Sequence, residues 1–215
     1  MTQRKRVGVL ISGRGSNMAA LIEACRAPDF PAEIALVISN RPKAAGLETA
    51  RAAGIAAEVI NHKHFPSREA FDESVTERLR SAGVELVCMA GFMRIQSSAF
   101  VETWRNRHLN IHPSLLPSFR GLDPHGQALA AGVRVSGATV HFVRDEMDAG
   151  PIVAQAVVPV EPGDTADTLA ARVLKAEHVL YPHALKLVAS GDAWVEGEAV
   201  RTRPGAQVLF PSVGA

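Results

Sequence analysis

The sequence has 215 residues, of which 47% are hydrophobic and 21% charged, enough chain to bury a sizeable core as one globular domain. A formal net charge of +1 leaves no basic footprint for nucleic acid and no polybasic face for a membrane, so any anionic partner must be met locally. No apolar run reaches membrane-spanning length, and Cys25 and Cys88 sit inside apolar runs, as suits buried thiols in the cytoplasm rather than a disulfide framework.

In chain order, residues 7–11 are expected as a buried strand and 18–26 as a helix that ends before Pro28. A second strand over 34–38 leads to a helix over 44–53, closed by Gly54, and then to a short strand over 56–60. Ser67 can cap a longer helix that stops at Gly83. Residues 86–90 and 107–111 read as two more strands around a short helix over 97–103. Strands alternating with helices predict an α/β fold with a Rossmann-like, doubly wound, mostly parallel sheet. After Gly132 the rhythm changes. Residues 133–143 and 152–160 are strand-like, and the connection between them is too short for a crossover, which predicts an antiparallel pair in the C-terminal half. A long helix over 165–189 puts Leu169, Val173, Ala176, Leu180, Ala184 and Val188 on one stripe, with a kink expected at Pro182. A small hairpin is expected from Trp194 onward.

In such folds ligands meet the loops at the carboxyl ends of the strands. The first of these, Ser12-Gly13-Arg14-Gly15-Ser16-Asn17, runs straight into a helix, where glycines admit a ligand to the backbone and the helix start offers N–H groups to a phosphate. Met18 stands where a dinucleotide fingerprint needs its third glycine, so a mononucleotide-type phosphate site fits better; an ordinary tight turn fits as well. The loop Gly91-Phe92-Met93-Arg94-Ile95-Gln96 is apolar enough to line a flat pocket, or to be a strand end packed into the core. In Leu109-Asn110-Ile111-His112-Pro113-Ser114 the amide of Asn110 and the ring of His112, two residues apart on an extended backbone, share a face. An Asn donor beside an imidazole suits a place where negative charge develops on oxygen; a turn cap and a satisfied loop histidine are the bland alternative. Asp148 lies in a turn, His141 within an apolar strand where a paired core histidine is expected, and Glu177 on the apolar side of the long helix. Eight histidines show neither His-Glu-x-x-His nor a Cys-x-x-Cys partner motif, and no nucleophile elbow is present, so no metal and no activated serine are expected.

Taken together, Ile11-Ser12-Gly13-Arg14-Gly15-Ser16-Asn17, Ala90-Gly91-Phe92-Met93-Arg94-Ile95, Asn110-Ile111-His112-Pro113-Ser114-Leu115-Leu116-Pro117, Thr139-Val140-His141-Phe142-Val143 and Asp148-Ala149-Gly150-Pro151 closely resemble the phosphoribosylglycinamide formyltransferase family, the folate-dependent transformylases of purine biosynthesis. The resemblance spans nearly the whole chain, in the family's order and spacing. It implies direct attack of the glycinamide amine on the formyl carbon of 10-formyltetrahydrofolate, with Asn110 and His112 donating to the oxyanion and Asp148 relaying the proton. It further implies a phosphate site at Gly15, Ser16 and Asn17 and a ribose contact at Glu177. Folate contacts are implied at Arg68, Met93, Arg94, Ile95, Gln96, Asn110, Val143, Asp145 and Glu146. Residues 1–215 then form one formyltransferase domain: 1–105 as a phosphate-binding half, 106–190 as a catalytic and folate-binding half, and 191–215 as hairpin and tail. The implied partners are the two small molecules, with no nucleic acid and no membrane, and the chain is expected as a monomer or homodimer. Gln96, Leu174 and Asp123-Pro124 depart from residues common in the family, which touches the substrate contacts and not the chemistry. A relative acting on a different amine, or a non-catalytic phosphate-binding module, are the alternatives.

Overall fold

The computed structural model of the chain describes residues 3–204; the expected tail after Pro204 lies outside the described residues. The chain divides into two compact units, Met1–Asn110 and Ile111–Ala215. In the first, β1 (Lys5–Ile11), β2 (Ala32–Ser39), β3 (Ala57–Val59), β4 (Leu86–Met89) and β5 (His108–His112) alternate with α1 (Ser16–Cys25), α2 (Gly46–Ala52), α3 (Arg68–Ser81) and α4 (Ser98–Thr103). Strand β5 carries the chain on into the second unit. The strands pair in parallel in the order β3-β2-β1-β4-β5. Val7, Val9, Val37, Ile38, Val87 and Cys88 have no exposed surface, the mark of strands covered on both faces, and this is why these segments read as apolar runs rather than as alternation. The helices begin and end where local chemistry places them. The Ser67 and Ser97 hydroxyls accept from the amides of Ala70 and Phe100, and Gly54 and Gly83 take the left-handed conformation just past α2 and α3.

The chain leaves β1 toward β2 on one side, while β4 pairs on the other. Strand order therefore reverses at β1 and β4, and the loops after these two strands diverge.

The second unit holds α5 (Pro124–Ala130), the antiparallel pair β6 (Val135–Phe142) and β7 (Ile152–Pro159), the long α6 (Ala166–Ser190) and a hairpin of β8 (Ala193–Glu196) and β9 (Ala199–Thr202). Helix α6 starts on a capping box between Thr165 and Thr168 and ends on Gly191 at φ 75°, running through Pro182 as one helix. From within α6 the Arg172 guanidinium reaches back to Asp164 at 2.7 Å and Glu161 at 3.0 Å, and the bonds from Arg172 hold the Asp164 carboxyl well below the usual carboxylate range. The buried stripe runs Leu169, Val173, Ala176, Leu180, Ala184 and then Leu187; Val188 is half-buried, one position off the 3.6-residue period. Among the described residues no helix is long and apolar enough to cross a membrane.

Three elements differ from expectation. Helix α1 starts at Ser16 rather than two residues later, because Gly15 at φ 71° serves as its N-cap. Residues His62–His64 form a 3-10 turn capped by the Asn61 side chain. Helix α5 was not expected; Asp123 caps it by accepting from the Gly126 amide, and Pro124 opens it.

Strands β6 and β7 approach so closely at Gly137 that a Cβ there would lie 1.9 Å from the Ala156 carbonyl oxygen, a backbone atom that cannot swing away. Gly137→Ala should therefore destabilise the protein by about 2 kcal/mol or more, seen as a melting temperature lowered by roughly 4 °C or more. Gly13→Ala, with nothing within 4 Å of its Cβ, is the control and should leave the midpoint in place.

Candidate active site

At the point where strand order reverses, the loops after β1 and β4 leave a recess of about 170 Å³ lined by Gly13, Arg14, Gly15, Ser16, Asn17, Ala90 and Gly91. Gly15 is required there twice over. Its φ of 71° is left-handed, and a Cβ would stand 3.1 Å from Met18 and 3.3 Å from the Gly46 backbone. Gly46 supports the loop from α2 by donating its amide to the Gly13 carbonyl at 3.0 Å. Ser16 and Asn17 are the first residues of α1, whose start has no side-chain cap and no acidic residue in its first turn. The orphan amides of a helix start and the positive end of its dipole are what an anion binds.

The next loop carries Met93, Arg94, Ile95 and Gln96. Met93 and Ile95 are 62% and 57% exposed, so their apolar side chains are turned outward. Gln96 points the other way, buried, with its amide donating to the Met89 sulfur at 3.0 Å. The Arg94 guanidinium lies over the Phe71 ring at 5.2 Å. Arg68, the first residue of α3, is exposed. A larger recess of about 610 Å³ between α3 and α4 holds none of the residues expected to do chemistry.

In the second unit, His112 ends β5 and is buried. Its Nδ1 lies 3.3 Å from Asp148 Oδ2, and its Nε2 donates to the Phe119 carbonyl oxygen at 2.9 Å. Both ring nitrogens thus face oxygen atoms. Asn110, half-buried, precedes His112 by two residues on the same strand and so shares its face. The turn after the strand is pinned from below. The Ser114 hydroxyl donates to the Ser118 carbonyl at 2.6 Å, and the fully buried Thr139 donates to the Ser114 carbonyl at 2.7 Å and accepts the Leu116 amide at 3.0 Å.

Asp148 sits at φ 53° in the connection between β6 and β7, with its side chain only 9% exposed. Besides His112 it meets the Gly121 amide at 3.0 Å and His141 Nε2 at 3.7 Å. Burial pushes its pKa up, but the bonds from His141 and Gly121 and the charge of His112 pull harder, and the carboxyl ends below its ordinary value. Gly150 fixes where this connection passes, since a Cβ there would lie 1.7 Å from the Phe142 carbonyl oxygen. The segment that contributes the Gly121 amide and the Phe119 carbonyl is wound tightly, with Phe119, Gly121 and Asp123 all left-handed at φ 58°, 77° and 54°. For a phenylalanine this costs about 1 to 2 kcal/mol, held in place by what surrounds it.

Val143 is buried at the end of β6; Asp145 and Glu146 are exposed in the same connection as Asp148, with Glu146 paired to Arg120 at 2.6 Å. Glu177 is buried on α6, at 6% exposure. His141, expected as a paired core histidine, is paired with the very carboxylate of the site. Phe119, Gly121 and Gly46 escaped the sequence reading because their contributions are backbone atoms, which no side-chain pattern announces. Among the described residues no group of three or more His, Cys, Asp or Glu side chains is placed to hold a metal ion.

Among known proteins, the family profile described as formyl transferase matches residues 5–185. The chain is 54% identical over 189 residues to the trifunctional purine biosynthetic protein adenosine-3 of Bos taurus, covering 88% of this chain and 19% of that one. It therefore spans about a fifth of the length of that relative. It is 45% identical over 197 residues to the phosphoribosylglycinamide formyltransferase of Escherichia coli strain K12, covering 88% of this chain and 93% of that one. The crystal structure of glycinamide ribonucleotide transformylase 1 from Symbiobacterium toebii matches at 48% identity with a TM-score of 0.91, over 94% of this chain and 95% of that one. The mostly parallel sheet and its antiparallel pair are thus a fold seen before. Because the matched span encloses every residue considered above from Gly15 to Glu177, the chain belongs to the formyl transferase family.

Proposed function

We propose that the chain transfers the formyl group of 10-formyltetrahydrofolate to the amine of 5-phosphoribosylglycinamide, in the purine pathway and in the cytoplasm. The observation that carries this reading is the buried Asp148 carboxylate held against His112, with Asn110 on the same strand face as the imidazole. The amine is its own nucleophile, so the protein's task is to stabilise charge and move a proton. As the amine nitrogen bonds to the formyl carbon, the carbonyl π electrons go to oxygen and a tetrahedral oxyanion forms. Asn110 donates to it through its amide, and His112 through Nε2. That proton is held here by a neutral carbonyl, and an oxyanion is the stronger acceptor. Asp148 pairs with the imidazole and relays the proton from the attacking amine to the departing folate nitrogen, so that the C–N bond to folate breaks with a neutral leaving group.

The uncapped start of α1, at Gly15, Ser16 and Asn17, takes the phosphate. Glu177 accepts from a ribose hydroxyl. Met93, Arg94, Ile95 and Gln96, together with Val143, Asp145 and Glu146, contact the pteridine, and Arg68 the glutamate tail. No metal enters the scheme.

The decisive measurement is turnover of purified protein with 10-formyltetrahydrofolate and phosphoribosylglycinamide; the expected result is formylation, and turnover on a different amine alone would sink the assignment. Asp148→Asn should still bind folate while kcat falls by roughly 100-fold or more, and near-normal turnover would remove Asp148 from the mechanism. Asn110→Ala should lower kcat by about 100-fold to 1,000-fold, checked in the same assay. Acid supplies a further check. The native Asp148 carboxyl titrates below its unfolded value, so its stabilisation is present in full above about pH 4 and is lost as pH falls through the lower native value. The stability gap between wild type and Asp148→Asn, read as urea midpoints, should therefore be wide at pH 7 and narrow at pH 3.

A further inference from the structure

We propose that Ser12 is a positioning residue that holds the loop after β4 in register with the loop after β1, and that it governs affinity for the folate rather than the rate of transfer. This rests on the functional reading above, which gives Met93 to Gln96 to the pteridine. Ser12 directly follows β1 and is 3% exposed. Its hydroxyl accepts the Met93 amide at 2.8 Å and donates to Asn40 Oδ1 at 2.6 Å. Asn40, 1% exposed, directly follows β2 and is anchored in turn by His62, whose Nδ1 lies 3.0 Å from the Asn40 carbonyl oxygen and 3.3 Å from its side-chain nitrogen. One hydroxyl thus joins the segments that follow β2, β1 and β4, three adjacent strands at the point where strand order reverses.

The loop after β4 depends on such ties. With Met93 and Ile95 turned outward, side-chain packing does not fix those two residues, and the loop is held by the Met93 amide on Ser12, the Arg94 guanidinium over Phe71 and the Ser97 amide on Asp72 at 2.6 Å. An amide fixed at a hydroxyl also sets the orientation of the peptide planes beside it, and these are the groups that meet the edge of a heterocycle. A serine hydroxyl accepts and donates at once; alanine does neither and leaves both the Met93 amide and Asn40 Oδ1 without it.

The test compares wild type with Ser12→Ala by titration calorimetry, using 10-formylfolic acid without the amine substrate, and phosphoribosylglycinamide in a separate titration. The folate dissociation constant should rise about tenfold in Ser12→Ala. Affinity for phosphoribosylglycinamide, and kcat at saturating folate, should stay within about twofold. Equal folate affinity in both proteins, or equal loss of both ligands, overturns the role of Ser12. A wild-type protein that binds neither ligand overturns the functional reading itself. Should Ser12→Ala fail to fold, the near-isosteric Ser12→Cys carries the same test, since a thiol is a weak donor and acceptor; the same selective folate loss is expected, and wild-type folate affinity overturns the proposal.

Discussion

A carboxylate withdrawn from water must be surrounded by donors or it takes up a proton, and much of the second unit can be understood as a way of meeting that demand at Asp148. The Gly121 amide reaches it because Phe119, Gly121 and Asp123, every second residue of the preceding segment, are left-handed. His141 reaches it from inside β6, and His112 from the end of β5. Gly150 lets the connection cross the Phe142 carbonyl and bring Asp148 to that place. Asp72 offers the contrast. It too is buried, and it accepts the Ser97 amide, yet burial dominates and its pKa is raised. The two aspartates are driven in opposite directions, Asp72 upward by burial and Asp148 downward by the donors around it.

How legible this was in the sequence depends on the range of the forces involved. The strands of the first unit were readable because burial on both faces writes continuous apolar runs, and the helix ends because Ser67, Gly54 and Gly83 act on their immediate neighbours. The antiparallel β6 and β7 followed from the short connection between them. Helix α5 was missed although Asp123-Pro124 carries an N-cap and a first-turn proline, because seven residues with a glycine at the third position give too little periodicity to be seen. The residues Asn110, His112 and Asp148 were visible as types in suggestive places. What could not be read is tertiary and made of backbone: the Phe119 carbonyl on His112, the Gly121 amide on Asp148, and the Gly46 amide under the loop after β1.

On the proposed function, the two units meet their ligands by different physical means. The first offers fixed main-chain dipoles, the orphan amides of α1 and the Met93 amide held by Ser12, beside the side chains of Arg68 and Arg94. The second concentrates ionisable side chains, with two histidines against one aspartate.

The bare start of α1 has a thermodynamic meaning of its own. The left-handed φ of 71° and the close neighbours of Gly15 exclude a serine or aspartate from the N-cap, so α1 starts without a side-chain oxygen on its first amides. On the proposed function, a phosphorylated ligand completes the helix from outside. In linkage language a ligand bound there would also be a folding ligand: its occupancy would shift the unfolding equilibrium by RT ln(1 + [L]/Kd), and its concentration would become part of what keeps the protein folded.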